Sequence, residues 1–306
     1  MPKVAFVGAG NVGATAAVFT AEANVADVTL IDVVEGLAAG KAVDLLAAAP
    51  LRGFSGKVEG TTDLAGLEGA DVVVTTAGLA RKPGMDRMDL LKKNVAIASG
   101  IADEIAARAP EAVIVNVTNP LDVITELYLR RTGFPRERVL GMAGVLDSAR
   151  FRAFLALELK VSPRDVEAMV LGGHGDKMVP LVSSATVGGV PMTQLIAQDA
   201  LDRIVERTRK AGAEVVALLK TGSAFVSPAA AAAEMVLAVL RDERRILPAA
   251  VRLAGEYGYD GICLGVPVVI GAGGLQRVVE LDLAPAERSA LDQSAAAVRE
   301  GVKALD

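Results

Sequence analysis

Near its start the chain runs Lys3-Val4-Ala5-Phe6-Val7, then Gly8-Ala9-Gly10-Asn11-Val12-Gly13, then an Ala-rich segment with helical spacing. The short apolar run reads as a strand buried on both faces, the kind found in a parallel sheet. Each glycine between strand and helix has a physical use. Gly8 permits a tight turn, Gly10 lets the backbone approach a pyrophosphate seated on the helix N-terminus, and Gly13 lets helix and strand pack closely. The chain has 31 glycines, and glycine-rich turns are common. The motif therefore takes its meaning from what surrounds it.

A second strand, Asp27–Ile31, follows at the distance expected for a β-α-β unit, and Asp32 ends it nineteen residues after Gly13. A carboxylate there is placed to bind the ribose hydroxyls of a dinucleotide and to repel a 2′-phosphate, which favours NAD over NADP. The alternating pattern continues. Helices are expected at 11–22, 37–49 (ending at Pro50), 95–108 and 122–131. Strands are expected at 57–61, 71–76, 113–117 and 139–142. Six such strands with right-handed crossovers give a doubly wound parallel α/β sheet.

The second half reads differently. A helix from Asp147 to about Leu159 precedes a strand over 166–171. Hairpin pieces follow over 181–186 and at Gly188-Gly189. Then come a long helix from about 193 to 220, with a break expected at Gly212, and a helix over 228–241. Two strands around the turn at 258–261, a strand over 278–283 and a closing helix over 284–303 complete the pattern. These elements predict an α+β substrate domain. The division is placed at 1–143 and 144–306.

At 306 residues the chain is long enough for two units, and 52% hydrophobic residues argue against disorder. The net charge of −5, with acids and bases intermixed, offers neither a nucleic-acid face nor a polybasic membrane patch. Any anion site must be built locally from arginines. One cysteine, Cys263, cannot form a disulfide within the chain, which fits a reducing, cytoplasmic compartment; it is expected as a small core residue. Residues 1–7 are too short an apolar run for a signal peptide. No stretch of about 18 uninterrupted apolar residues predicts a membrane span.

His174, the chain's one histidine, lies in Gly172-Gly173-His174-Gly175-Asp176. Imidazole has an ordinary pKa of about 6.5, suited to moving the hydroxyl proton when an alcohol loses hydride. Such a base needs an orienting carboxylate. Asp176 is too near in sequence, whereas Asp147 is a stronger candidate. Asp147 and Arg150, three apart, share a helix face that would offer a carboxylate to the imidazole and a guanidinium to a substrate carboxylate. The alternative is a routine i,i+3 ion pair. After the fourth strand, Gly78 to Arg87 carries Arg81 and Arg87 around Pro83-Gly84. Such a loop leaves the ligand-binding end of the sheet and would bring positive charge over a substrate as it closes. From composition alone, a solvated basic surface loop explains it better.

Taken in order, Gly8–Gly13, Asp32, Arg81–Arg87, Asn94, Val117–Asn119, Asp147–Arg150 and His174 resemble the lactate/malate dehydrogenase family over essentially the whole chain. The resemblance implies a Rossmann first domain and NAD as cofactor. It implies that the turn (Gly8, Ala9, Gly10, Asn11, Val12, Gly13), Asp32, Asn94, Val117, Thr118 and Asn119 contact that cofactor. His174 would be the proton acceptor, with Asp147 its partner. Arg150 would hold the first carboxylate, Arg87 would polarise the carbonyl, and Asn119 would hydrogen-bond the substrate oxygen. Arg at position 81, where lactate-active members carry Gln, implies a dicarboxylate, malate or oxaloacetate. This agrees with the cost of burying a second carboxylate unpaired. The loop is similar to that of the lactate-dehydrogenase-like malate dehydrogenases of bacteria, which implies a homo-oligomer, tetramer favoured over dimer. No metal is expected. Three alternatives stay open: a lactate or other 2-hydroxy-acid dehydrogenase, a non-catalytic NAD-binding sensor, and an NAD-dependent glycosidase.

Overall fold

The computed structural model describes residues 1–79 and 87–305. In the first half, strands β1 (Lys3–Val7), β2 (Asp27–Ile31), β3 (Val58–Thr61), β4 (Val72–Thr75), β5 (Val113–Asn116) and β6 (Val139–Gly141) alternate with helices. These are α1 (Asn11–Glu22), α2 (Leu37–Arg52), α3 (Arg87–Arg108) and α4 (Leu121–Thr132). The six strands pair in parallel in the order β6-β5-β4-β1-β2-β3. Reversal of strand order beside β1 places the glycine turn at the carboxyl edge, where open α/β sheets bind ligands. Val4, Ala5 and Phe6 are fully buried. Covering a Phe side chain contributes about 1.5–3 kcal/mol.

The second half holds α5 (Gly144–Leu159), the short strands β7 (Val166–Glu167), β8 (Val170–Leu171), β9 (Val179–Pro180), β10 (Thr186–Val187) and β11 (Val190–Pro191), then α6 (Gln198–Leu219) and α7 (Val226–Leu240). It ends with β12 (Arg245–Ala254), β13 (Asp260–Gly271), β14 (Gly274–Val278) and α8 (Pro285–Val302). Strands β12 to β14 do not form a separate sheet. They join β6 antiparallel through Ala250 and Gly141, making one nine-stranded sheet. One apolar core runs from Val4 and Phe6 through Met142 to Met235, Leu264 and Leu291.

Several sequence expectations shift for local reasons. Helix α2 passes Pro50 and ends at Arg52, with Gly53 left-handed at its C-cap (φ 75°). A proline near a helix end disturbs few backbone bonds, and glycine makes the stop at no steric cost. Gly212 does not break α6, which begins at Gln198 rather than near 193. There a polar-outside, apolar-inside pattern buries Ala200, Leu201, Ile204, Thr208 and Ala211 and outweighs one glycine's cost of about 1 kcal/mol. The strand expected over 278–283 sits earlier, at Gly274–Val278 in register with β13. The hairpin expected over 181–186 reduces to Val179–Pro180 and Thr186–Val187.

Candidate active site

The glycine turn has the geometry its sequence implied. Gly8 is left-handed (φ 105°), and a Cβ on Gly13 would lie 1.9 Å from the Gly8 carbonyl oxygen. Helix α1 can therefore approach the turn only with glycine there. Gly10, at the N-cap, has open space where a Cβ would stand and no side-chain cap. The first amides of α1 thus face a cradle suited to an anion. Asp32 braces this cradle. Its Oδ2 accepts the Ala9 N–H at 2.7 Å, and its Oδ1 accepts the Val34 N–H at 3.0 Å. Lys41 of α2, which the sequence reading did not single out, donates to the Ala9 carbonyl at 2.7 Å.

Beyond β5 the chain turns through Val117, Thr118 and Asn119 into a cis Asn119–Pro120 bond and α4. Buried Asn116 sits at the centre of this turn. Its Oδ1 accepts from Thr75 Oγ1 at 3.1 Å and from the Thr118 N–H at 2.9 Å, while its Nδ2 reaches Thr125 Oγ1 at 3.0 Å. Asn94, only 1% exposed, accepts the Leu79 N–H at 2.8 Å and donates to the carbonyls of Leu79 and Asn119 at 3.2 and 2.9 Å. It ties the segment after β4 to the Asn119 turn. Asn119 itself is exposed. Arg81 lies outside the described residues, as does the side chain of Arg87.

His174 stands at the end of β8, and its Nδ1 lies 2.7 Å from Asp147 Oδ2. Asp147 is in the first turn of α5 and nearly fully buried. Its other oxygen accepts from Arg150 Nη1 at 3.2 Å. One carboxylate therefore bridges imidazole and guanidinium: the i,i+3 ion pair held as the alternative forms, and the same carboxylate also meets the ring. Ser148 Oγ accepts the Val170 N–H at 2.8 Å and locks α5 to the strand leading to the histidine. Gly172 is left-handed (φ 84°), and its N–H bonds the Gly265 carbonyl of β13 at 2.8 Å. Burial disfavours a charged His174 ring. The charge and hydrogen bond of Asp147, aided by Asp122, outweigh that burial and hold its pKa above the ordinary 6.5.

Two groups at this site escaped the sequence reading. Asp122, near the start of α4, accepts the His174 backbone N–H at 2.9 Å. Burial pushes its carboxyl up to about 6, against the opposing pull of the His174 hydrogen bond and charge. Ser294 of α8 accepts the Gly173 N–H at 2.9 Å. A helix-start acid reads as routine in sequence. The available signal was its place on one face with Glu126 and Arg130, in a helix rich in apolar residues from Leu121 to Leu129. Cys263 is buried as expected, its thiol pushed well up by burial and by Glu126. Among the described residues, no group of three or more His, Cys, Asp or Glu is arranged to hold a metal ion.

The comparisons with known proteins cover the whole chain. Residues 2–141 match the model for the lactate/malate dehydrogenase NAD binding domain, and residues 144–305 match that for the alpha/beta C-terminal domain of the same family. A malate dehydrogenase of Desulforudis audaxviator is 52% identical over 304 residues, covering 99% of this chain and 98% of the relative. One of Thermomicrobium roseum is 53% identical over 303 residues, covering 99% and 98%. Among solved structures, malate dehydrogenase from Salinibacter ruber aligns with a TM-score of 0.95 at 48% identity, covering 99% of this chain and 97% of that one. A lactate dehydrogenase from Cryptosporidium parvum, complexed with lactic acid and nicotinamide adenine dinucleotide, aligns at 0.96 and 42%, covering 100% and 98%. With both halves matched and relatives above 50% identity along nearly its full length, the chain belongs to the lactate/malate dehydrogenase family.

Proposed function

We propose that the chain is an NAD-dependent malate dehydrogenase, interconverting malate and oxaloacetate. The observation that carries the reading is the Asp147 carboxylate bridging His174 Nδ1 and Arg150 Nη1. It joins a proton donor to a carboxylate-binding guanidinium. The cradle at Gly8–Gly13 fits a dinucleotide: its Gly10 amide edge is open, and Asp32 stands at the neighbouring strand end. In this reading Gly8, Ala9, Gly10, Asn11, Val12 and Gly13 receive the pyrophosphate, Asp32 the adenosine ribose, and the Val117–Asn119 backbone the nicotinamide side. Asn94, implied by the resemblance as a cofactor contact, is buried with its amide engaged by Leu79 and Asn119, so in this reading it supports that wall instead. NAD supplies the hydride acceptor, or NADH the donor.

The proton chemistry falls to the chain. Asp147 occupies Nδ1, which leaves Nε2 of His174 to face the substrate. Reduction takes oxaloacetate, NADH and one proton to malate and NAD+; the proton passes from Nε2 to the oxygen formed at carbon 2. Asp147 stabilises the ring in its charged form before transfer and fixes its tautomer afterwards. Arg150 pairs with the first carboxylate in bidentate fashion. Arg87 polarises the carbonyl, and Asn119 hydrogen-bonds its oxygen. Arg81 takes the second carboxylate and so selects a dicarboxylate. Residues 1–143 form the cofactor half and 144–306 the substrate half. A cytoplasmic homo-oligomer, tetramer favoured over dimer, follows from the resemblance and the single cysteine. Among the described residues no helix is long and apolar enough to cross a membrane.

The test is a steady-state panel of oxaloacetate, pyruvate and 2-oxoglutarate with NADH and NADPH, run on the wild type and Arg81→Gln. Oxaloacetate with NADH is expected to lead in the wild type. A charge-assisted bond of about 1.5–3 kcal/mol makes the variant lose about ten- to hundredfold on oxaloacetate relative to pyruvate. Preference for pyruvate in the wild type would select the lactate reading instead. An unchanged preference in Arg81→Gln would remove that residue as the selector.

A further inference from the structure

We propose that Asp122 is a positioning residue for proton transfer, holding the His174 turn against the Asn119 turn and sharing with Asp147 the support of the charged imidazole. The proposal rests on the reading of His174 given above. Asp122 lies three residues after Asn119, in the first turn of α4, and is 8% exposed. Its Oδ2 accepts the backbone N–H of His174 itself at 2.9 Å, across 52 positions of sequence. Its Oδ1 is buried and has no hydrogen-bond partner among the described residues. The adjacent N–H, that of Gly173, goes to Ser294. Two side chains from two helices thus receive two consecutive amides at the histidine turn. Position 173 has no room for more: a Cβ there would meet Val298 Cγ2 at 2.6 Å and Asp122 Oδ2 at 3.1 Å.

Ser294 shows that a neutral hydroxyl suffices to receive such an amide. A carboxylate at the same kind of position is disfavoured by burial, as its raised pKa records, unless its charge has a use. The groups that bear on it define that use. His174 stabilises the Asp122 charge, and Asp122 in return stabilises a charged His174; Asp147 of α5 opposes the Asp122 charge. On β13, Cys263 feels Asp122 as a like charge. From α8 come uncharged Ser294 and Val298. Glu126, one turn along α4, is held by Arg252 of β12 and by Arg130. Among these neighbours, His174 is the one whose charge changes in the reaction as read above.

The chain has one histidine, so NMR of the untagged protein gives a single imidazole titration. The experiment measures that titration, the pH profile of oxaloacetate reduction and NADH affinity in wild type, Asp122→Asn, Asp122→Ala and His174→Asn. Asp122→Asn keeps an oxygen for the His174 amide but loses the charge. It is expected to lower the imidazole pKa by about half a unit, move the alkaline limb of kcat down equally and cut kcat about fivefold. NADH affinity and the KM for oxaloacetate should stay within about twofold. Asp122→Ala loses the acceptor as well and should fall at least about tenfold further. An unmoved imidazole titration in Asp122→Asn, or a loss confined to NADH binding, overturns the proposal. If an Asp122 variant folds poorly, the imidazole titration of the folded fraction still decides. Near-wild-type turnover by His174→Asn instead overturns the underlying reading, whatever Asp122 does.

Discussion

The Asp147 bridge makes a quantitative demand on the Asp147→Asn variant. The wild-type carboxylate, 2.7 Å from Nδ1 and nearly sealed from water, provides a charge-assisted bond of about 1.5–3 kcal/mol that exists in full only when the ring is protonated. Removing it therefore takes away about ten- to hundredfold in kcat/KM for oxaloacetate reduction. The direction with pH follows from the ring. Reduction uses the protonated imidazole, so activity is full below its pKa and declines as pH rises through it. Burial alone lowers that pKa, and Asp147 raises it above 6.5. Without the carboxylate the decline must begin at lower pH, so the deficit grows between neutral and alkaline conditions. NADH consumption followed across pH, beside the single histidine resonance, measures both quantities. A loss below about threefold with the imidazole still titrating above 6.5 would refute the assignment.

Two further outcomes test other parts of the molecule. Asp32→Ser should narrow the preference for NADH over NADPH at least about tenfold and weaken NADH binding, since it removes both the repulsion of a 2′-phosphate and the brace on the Ala9 amide; titration with each cofactor measures it. Glu256 clamps the β12–β13 turn to Arg136 at 2.9 Å; burial pushes its carboxyl up, but Arg136 and the Ala254 N–H outweigh this and hold it down to about 2. Its stabilisation, about 1–2 kcal/mol after allowance for partial exposure, is present above the ordinary carboxylate range and lost as pH falls toward that value. Thermal melts of wild type and Arg136→Ala should therefore differ by a few degrees near neutrality and converge in acid.

The cofactor half was legible because its signals are local. A strand of buried β-branched residues, a glycine whose Cβ would strike a carbonyl, and an acid at the next strand end each act within about thirty residues. Asp147, Arg150 and His174 were legible because helical spacing pairs two of them and composition leaves a single imidazole. What escaped depends on contacts between distant segments. Asp122 receives an amide 52 positions away; sharing a helix face with Glu126 and Arg130 hints at a buried acid but says nothing of that partner. Asn116 looks like the end of a strand until Thr75, Thr118 and Thr125 converge on it. The joining of β12 to β6 rests on one pairing, Ala250 with Gly141, which no periodicity encodes. At Gly212 the reverse happened, and the apolar face of α6 overrode a local breaker.

The single sheet has a mechanical consequence. A cleft can close by rotation of one lobe about another only where a few backbone positions give way while the layers on each side stay whole. Here β6 is bonded to β5 on one side and to β12 on the other, and the apolar core continues beneath both. A rotation between those sides would break the Ala250–Gly141 pairing and separate side chains packed in the shared core. The β5 and β12 sides of β6 therefore belong to one continuous layer rather than to two sheets that meet at a hinge. Asp32 and His174 are thereby referred to the same layer, the first at the end of β2 and the second through the Gly172–Gly265 bond to β13.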